Sequence, residues 1–169
     1  FNIVNPLTLF KRHNKTILSK ITGYVSPGHT LAIMGASGAG KTSLLNILAQ
    51  RVLTFGGTLT INGKTPGRSY RSQIGYVEQD DVLMTNLTVK ENLFYAANLL
   101  LPTFMKYSEK LKRVNSVADE LGLNYCLNTR IGTPDKKGIS GGERKRVNIA
   151  IALISQPRVL FLDEPTSEF

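Results

Sequence analysis

Gly35-Ala36-Ser37-Gly38-Ala39-Gly40-Lys41-Thr42 is the stretch that decides the fold. A short apolar run over residues 30–34 precedes it, and Leu44, Leu45, Ile47 and Leu48 follow at helical spacing. Strand, glycine loop and helix form the setting in which a loop of this pattern binds phosphate. Its glycines let consecutive backbone N–H groups turn inward around phosphate oxygens, and the start of the helix adds partial positive charge. In this reading Gly35, Ala36, Ser37, Gly38, Ala39, Gly40, Lys41, Thr42 and Ser43 bind the nucleotide. Lys41 reaches the β- and γ-phosphates as a catalytic group, and the Thr42 hydroxyl ligates Mg2+. The alternative, a flexible glycine turn before an amphipathic helix, is disfavoured because both flanks agree with the phosphate loop.

Upstream and just downstream of the loop, residues 7–10, 17–25 and 57–61 alternate like strands. They lie between turn signals such as Gly56-Gly57 and Asn62-Gly63, which predicts a small, largely antiparallel sheet. Residues 74–78 read as a further strand, ending in the polar turn Gln79-Asp80-Asp81. Thr88-Val89-Lys90-Glu91 is a capping box that opens a helix through Leu99, with Pro102 beyond its end. Leu111, Val114, Val117, Ala118 and Leu121 make the apolar stripe of a second helix, which Gly122 stops. Ser140-Gly141-Gly142-Glu143 is another capping box, opening a helix to about Ile154, and residues 159–162 read as a buried parallel strand. The order is that of an α/β protein.

Val159-Leu160-Phe161-Leu162-Asp163-Glu164 is an apolar strand that delivers two carboxylates only at its tip, as a Mg2+ site beside a phosphate loop needs. Asp163 is the candidate metal ligand and Glu164 the candidate catalytic group that polarises the attacking water. Gln79, in its polar turn, is a candidate to touch both Mg2+ and that water, although a glutamine in a turn is weak evidence by itself. Ser140, Gly141 and Gly142 place a hydroxyl and two bare backbone amides at a helix start, a second anion site. The capping box alone also accounts for Ser140 and Glu143.

The 169 residues are 41% hydrophobic and 20% charged, a composition that suits one globular domain with a sizeable core. Basic residues outnumber acidic ones by 21 to 12, and the net charge of +9 attracts nucleic acid, an anionic membrane face or a polyphosphate without choosing among them. Cys126 stands alone, which excludes an internal disulfide or a cysteine metal cluster and fits a reducing compartment. No apolar run approaches the roughly 20 residues of a membrane-spanning helix, and no secretory leader is seen, so a cytosolic setting is expected. The triplets Asn14-Lys15-Thr16 and Asn86-Leu87-Thr88 matter only in secreted chains.

Phosphate loop, glutamine, Ser-Gly-Gly-Glu and Asp-Glu strand, in this order within one chain, resemble the ABC ATPases. Residues 35–42 resemble the Walker A loop, Gln79 the Q-loop, Ser140-Gly141-Gly142 the signature, Asp163 the Walker B aspartate and Glu164 the catalytic glutamate. Ile139 stands where many ABC proteins have leucine. Ile33-Met34-Gly35-Ala36-Ser37-Gly38-Ala39-Gly40-Lys41-Thr42, Gly75-Tyr76-Val77-Glu78-Gln79-Asp80-Asp81 and Gly142-Glu143-Arg144-Lys145-Arg146 are similar to the G (White) subfamily in particular.

The resemblance implies a P-loop NTPase core of ABC-ATPase type with an antiparallel β subdomain and a helical insert subdomain. About 1–85 would hold the β subdomain and Walker A core, 86–147 the helical subdomain with the signature, and 148–169 the end of the core helix and the Walker B strand. ATP and Mg2+ are the implied cofactors, with Thr42, Gln79 and Asp163 toward the metal. Ser140, Gly141 and Gly142 would contact ATP held by a second ABC domain in a head-to-tail homo- or heterodimer. A transmembrane domain of the same or a partner chain is the other implied partner, with this domain on the cytoplasmic side and no nucleic acid. The implied activity is ATP hydrolysis that powers transport of a lipid-like or amphipathic substrate.

The chain also departs from the family pattern. After Asp163-Glu164-Pro165-Thr166-Ser167 the family continues Gly-Leu-Asp, whereas Glu168-Phe169 stand here, and the only histidines, His13 and His29, lie upstream of the position of a switch histidine. Together with Phe1 in place of Met, this leads us to expect a C-terminally truncated fragment that binds Mg-ATP weakly and hydrolyses it poorly by itself. Phe10 is the nearest candidate to stack on adenine and His13 a poorer one, and sheet packing explains Phe10 equally well. Two other readings stand beside a transport ATPase: a soluble ABC ATPase acting on ribosomes or nucleic acid, and a non-hydrolysing nucleotide-binding module. The charge and Arg144-Lys145-Arg146 support the former, but no aromatic platform interleaves the basic residues. That basic run is expected to be a solvated face.

Overall fold

The computed structural model describes residues 16–52, 56–133 and 135–165. The chain divides into two compact units, Phe1–Gly56 and Gly57–Phe169.

In the first unit the glycine loop leads into helix α1, Lys41–Leu48. It starts ahead of the expected residue 43 because Gly40, at φ 94°, turns the chain in the left-handed region that glycine adopts without strain. It stops short of Val52, with Gln50 itself left-handed at φ 53°. The strands expected at residues 17–25 and 30–34 form no ladder among the described residues. Ile17, Ile21 and Leu31 are exposed and Met34 is 90% exposed. Strand propensity is the fit of a side chain to a pleated, half-buried surface, and the described residues offer these side chains no such surface. The strand expected at residues 7–10 lies outside the described residues.

The second unit runs α2 (Arg68–Arg71), β1 (Ile74–Val77), α3 (Val89–Leu100), α4 (Tyr107–Glu120), a short 3-10 turn (Asn124–Cys126), α5 (Gly141–Ile154) and β2 (Val159–Leu162). Strands β1 and β2 are parallel and in register from Ile74 beside Val159 to Val77 beside Leu162. Parallel neighbours need a long crossover, and α3, α4 and α5 supply it. The architecture is therefore α/β, as expected. Of the expected antiparallel sheet, the described residues retain one bridge between Ile61 and Lys64. Asn62 (φ 51°) and Gly63 (φ 74°) close it as a two-residue turn.

The helical caps follow the sequence closely. Thr88 and Glu91 exchange hydrogen bonds at the start of α3 (Glu91 N–H to Thr88 Oγ1, 3.2 Å; Thr88 N–H to Glu91 Oε2, 2.8 Å). Helix α4 ends as its stop signal requires: Gly122 sits at φ 62°, the Gly122 amide donates to Asp119 O and the Leu123 amide to Ala118 O. Arg113 of α4 donates from its side chain to Leu153 O (2.6 Å) and Ile154 O (3.2 Å), satisfying carbonyls at the end of α5.

Val89, Leu93 and Ala97 of α3, Val114, Val117 and Ala118 of α4, and Val147, Ala150 and Ile154 of α5 meet in one core with Leu123, Cys126, Ile131 and Ile139. Asn92 is buried among them, and its amide is satisfied by Met84 N–H, Met84 O and Thr88 O. Two glycines let the chain cross itself just before α5. A Cβ on Gly138 would collide with the Ile131 carbonyl, and one on Gly132 would sit 2.7 Å from Gly138 Cα. Gly138→Ala should therefore lower stability by about 1–3 kcal/mol, read as a fall in Tm; an unchanged Tm would mean the crossing relaxes freely.

Candidate functional site

The phosphate loop is closed on its own lysine. Lys41 donates from Nζ to Gly35 O (2.9 Å) and Ala36 O (3.1 Å), and the Ala39 amide donates to Ala36 O at 3.1 Å. Gly38 (φ 78°) and Gly40 (φ 94°) both need the left-handed region, and a Cβ on Gly40 would come within 2.7 Å of Leu18 Cδ2. Thr42 and Ser43 lie in the first turn of α1, where backbone N–H groups lack helical acceptors. A glycine loop with left-handed turns leading into a helix start is the setting in which backbone nests for anions form.

In the second unit the parallel ladder brings two expected residues together. Because β1 and β2 run the same way, their carboxyl ends lie side by side, Asp163 N–H continues the ladder to Val77 O at 3.0 Å, and Asp163 is buried at 4% exposure. One residue on, Glu164 takes a left-handed φ of 48°, a conformation that costs a non-glycine residue about 1–2 kcal/mol. There its Oε2 accepts from Gln79 Nε2 at 2.9 Å across 85 residues of sequence.

Ser140 caps α5 as the capping box predicts: Glu143 N–H donates to Ser140 Oγ (3.3 Å) and Ser140 N–H to Glu143 Oε2 (2.6 Å). Gly141 and Gly142 form the first turn. The adjoining basic run is only in part the solvated face expected of it, because Lys145 is buried while Arg146 bonds at the surface. Lys145 is 6% exposed, and its Nζ donates to Gln79 O (2.7 Å) and Glu78 O (3.3 Å), with Asp81 Oδ1 at 3.4 Å. Arg146 donates to the Tyr125 hydroxyl (3.2 Å), which in turn donates to Glu143 Oε1 (2.6 Å). Arg144 points toward the Ile131 and Gly132 carbonyls at the long distances of 3.5 and 3.4 Å. Helix geometry puts residues 144–146 on successive faces, so a run of like charges need not share one environment.

Lys145, Asn148, Asp81 and Tyr125 were not singled out as site residues. The available signal was the spacing of Lys145 and Asn148, three apart and hence on one face of α5. Their common partner Asp81, two residues beyond Gln79, could be supplied only by the folded chain. Phe10 and His13, the candidate adenine contacts, lie outside the described residues, as do residues 166–169.

Mg2+ and ATP fit the chemistry of these groups. Gly38 has open space where a Cβ would be; within the first unit the Thr42 hydroxyl, and within the second the Asp163 carboxylate, are each the kind of hard oxygen donor that Mg2+ takes. A phosphate loop opening a helix, in an α/β chain whose acidic strand tip is bonded to a glutamine, defines a P-loop NTPase. The chain belongs to the ABC transporter family, whose sequence profile matches residues 18–167. It is 50% identical over 161 residues to ABC transporter G family member 1 of Dictyostelium discoideum, covering 93% of this chain and 20% of that protein. It is likewise 50% identical over 155 residues to ABC transporter G family member 22 of Arabidopsis thaliana (90% and 21%). Identity is 48% over 159 residues to the broad substrate specificity ATP-binding cassette transporter ABCG2 of Bos taurus (93% and 24%). The similarity to the G subfamily expected from the motifs is thus borne out, and the chain spans about a fifth to a quarter of the length of these curated relatives. No helix among the described residues is long and apolar enough to cross a membrane.

The Tyr125 hydroxyl, and then the Ser140 amide, hold the Glu143 carboxyl below the usual carboxylate range. A carboxyl that titrates lower folded than unfolded contributes stability that is complete above the unfolded value, about pH 4.3, and is lost as pH falls through the folded one. Tyr125→Phe should move the Glu143 carboxyl back toward its ordinary value, visible in the carbon-detected NMR titration of that residue. It should also shrink the stability difference between pH 6 and pH 3. An unmoved titration would assign the shift to the helix start alone.

Proposed function

We propose that this chain binds Mg-ATP and hydrolyses it as the ATP-binding domain of an ABC transporter of the G-family type. The observation that carries the reading is the Gln79 to Glu164 hydrogen bond at the tips of two parallel strands, because it joins a residue expected to orient water to one expected to polarise it. In this reading residues 35–43 cradle the phosphates through backbone N–H groups, and Lys41 leaves its loop carbonyls for the β- and γ-phosphate oxygens. Thr42 in the first unit and Gln79 and Asp163 in the second are the residues that would hold Mg2+, and the ion would supply positive charge against the phosphate oxygens. Glu164 draws a proton from the attacking water while Gln79 fixes that water's orientation. Phosphoryl transfer gains chiefly from such positioning and charge placement.

Ser140, Gly141 and Gly142 serve ATP on a second ABC domain, so the working unit is a head-to-tail pair coupled to a transmembrane domain, with this domain on the cytoplasmic side. The division into a β subdomain with the Walker A core, a helical subdomain over 86–147 and a Walker B segment belongs to the same reading, as does an antiparallel β subdomain. The substrate class is lipid-like or amphipathic. A nucleic-acid partner loses part of its support, because Lys145 is buried and bonded to the Gln79 carbonyl.

Measured on the full-length protein, Lys41→Ala should weaken ATP binding at least about tenfold, since it removes a charge-assisted contact to phosphate. Glu164→Gln should keep ATP binding and lower kcat by about 10² to 10⁴, the range of a lost general base. Turnover that survives Glu164→Gln would remove Glu164 from the chemistry.

A further inference from the structure

Lys145 lies in the second turn of the helix that begins at Ser140, yet its ammonium serves a different part of the fold. It donates to the carbonyls of Glu78 and Gln79 and pairs with Asp81, all in the turn after β1. Both side chains of the ion pair are more than nine-tenths buried (8% and 7% exposed). Asn148, one turn further along α5, donates to the same Asp81 Oδ1 at 3.0 Å. Asp81 Oδ2 is buried with no hydrogen-bond partner. A buried lysine is retained only where it is paired, and a hydrophobic residue would fill this space without the desolvation it demands. The geometry of the bonds gives it a use. The 2.7 Å bond to Gln79 O fixes the backbone of the residue whose side chain is bonded to Glu164.

We propose that Lys145, with Asp81 and Asn148, is a positioning residue that clamps the Gln79 turn to the signature helix, so that Gln79 presents its amide to Glu164 only when that helix is in place. The proposal rests on the roles given above to Gln79 and Glu164 and adds the residues that hold the Gln79 turn. The anchor is rigid, because Lys145 and Asn148 both belong to α5. No new group touches the nucleotide. The clamp acts through the backbone of Gln79.

The test uses the full-length protein and the pair Lys145→Met with Asp81→Asn, which removes both charges at once so that neither is left buried alone. It is compared with Gln79→Ala and with all three substitutions combined. We expect the paired variant to hold its KM for ATP within about threefold while kcat falls at least about tenfold, since a misplacement of about 1 Å costs up to 100-fold. On the Gln79→Ala background the same pair should lower kcat no further, because groups that act as a unit are not additive. An unchanged kcat in a folded variant, or a loss that multiplies with that of Gln79→Ala, overturns the clamp. Should the paired variant fail to fold, Lys145→Arg retains the charge but not the compact ammonium. It must then show the same lowered kcat and the same masking by Gln79→Ala, and wild-type turnover in it overturns the clamp. If Gln79→Ala itself turns over at the wild-type rate, the role of Gln79 fails, and the proposal fails with it for that separate reason.

Discussion

The parallel pairing of Ile74–Val77 with Val159–Leu162 is the constraint on which the second unit depends. Parallel strands finish at the same edge of their sheet, and in α/β proteins that carboxyl edge is where ligands are handled. Here it places the turn beginning at Gln79 against the acidic pair Asp163 and Glu164. The crossover between the strands holds the three helices of the core, so pairing and core formation require each other. Gly75 lets the pairing close: a Cβ there would meet Leu160 Cδ1 at 2.8 Å and Pro157 Cγ at 2.9 Å.

Polar groups in this unit are spent at junctions. Asn92 ties the start of α3 to the loop at Met84, Arg113 ties α4 to the last carbonyls of α5, and Lys145 ties α5 to the turn after β1. Each donates to a backbone carbonyl at an element's end or in a turn. The apolar core sets which helices touch, while these side chains set how they register. Gln79 and Asp81 lie at such a junction, so their geometry depends on Lys145 of a distant helix.

The start of α5 illustrates how one motif satisfies two demands. Ser140 and Glu143 complete a capping box, so the helix begins at a fixed residue, and Tyr125 and Arg146 lock Glu143 in that role. With Glu143 held by its own helix, the adjoining Gly141 and Gly142 amides stand in a first turn that lacks side-chain bulk. The cap satisfies the Glu143 amide, while the Gly141 and Gly142 amides before it belong to the first turn, where helical acceptors are missing.

Sequence by itself determined the local grammar. The phosphate loop, the capping boxes at Thr88 and Ser140, the left-handed stop at Gly122 and the apolar strand at residues 159–162 are written in contiguous residues, because each depends on side chains within a few positions of the backbone they satisfy. It also carried the family resemblance, through motifs whose order survives without coordinates. Tertiary structure decided what depends on distant partners. The alternation at residues 17–25 and the apolar run at 30–34 read as strands but form no ladder among the described residues, since a strand exists only against another backbone. The Arg144-Lys145-Arg146 run looked solvated but is divided by the helix, with Lys145 turned into the fold to meet Asp81, 64 residues away. The bond from Gln79 to Glu164 spans 85 residues, and no local pattern encodes such a meeting: it follows from the direction in which two short strands run.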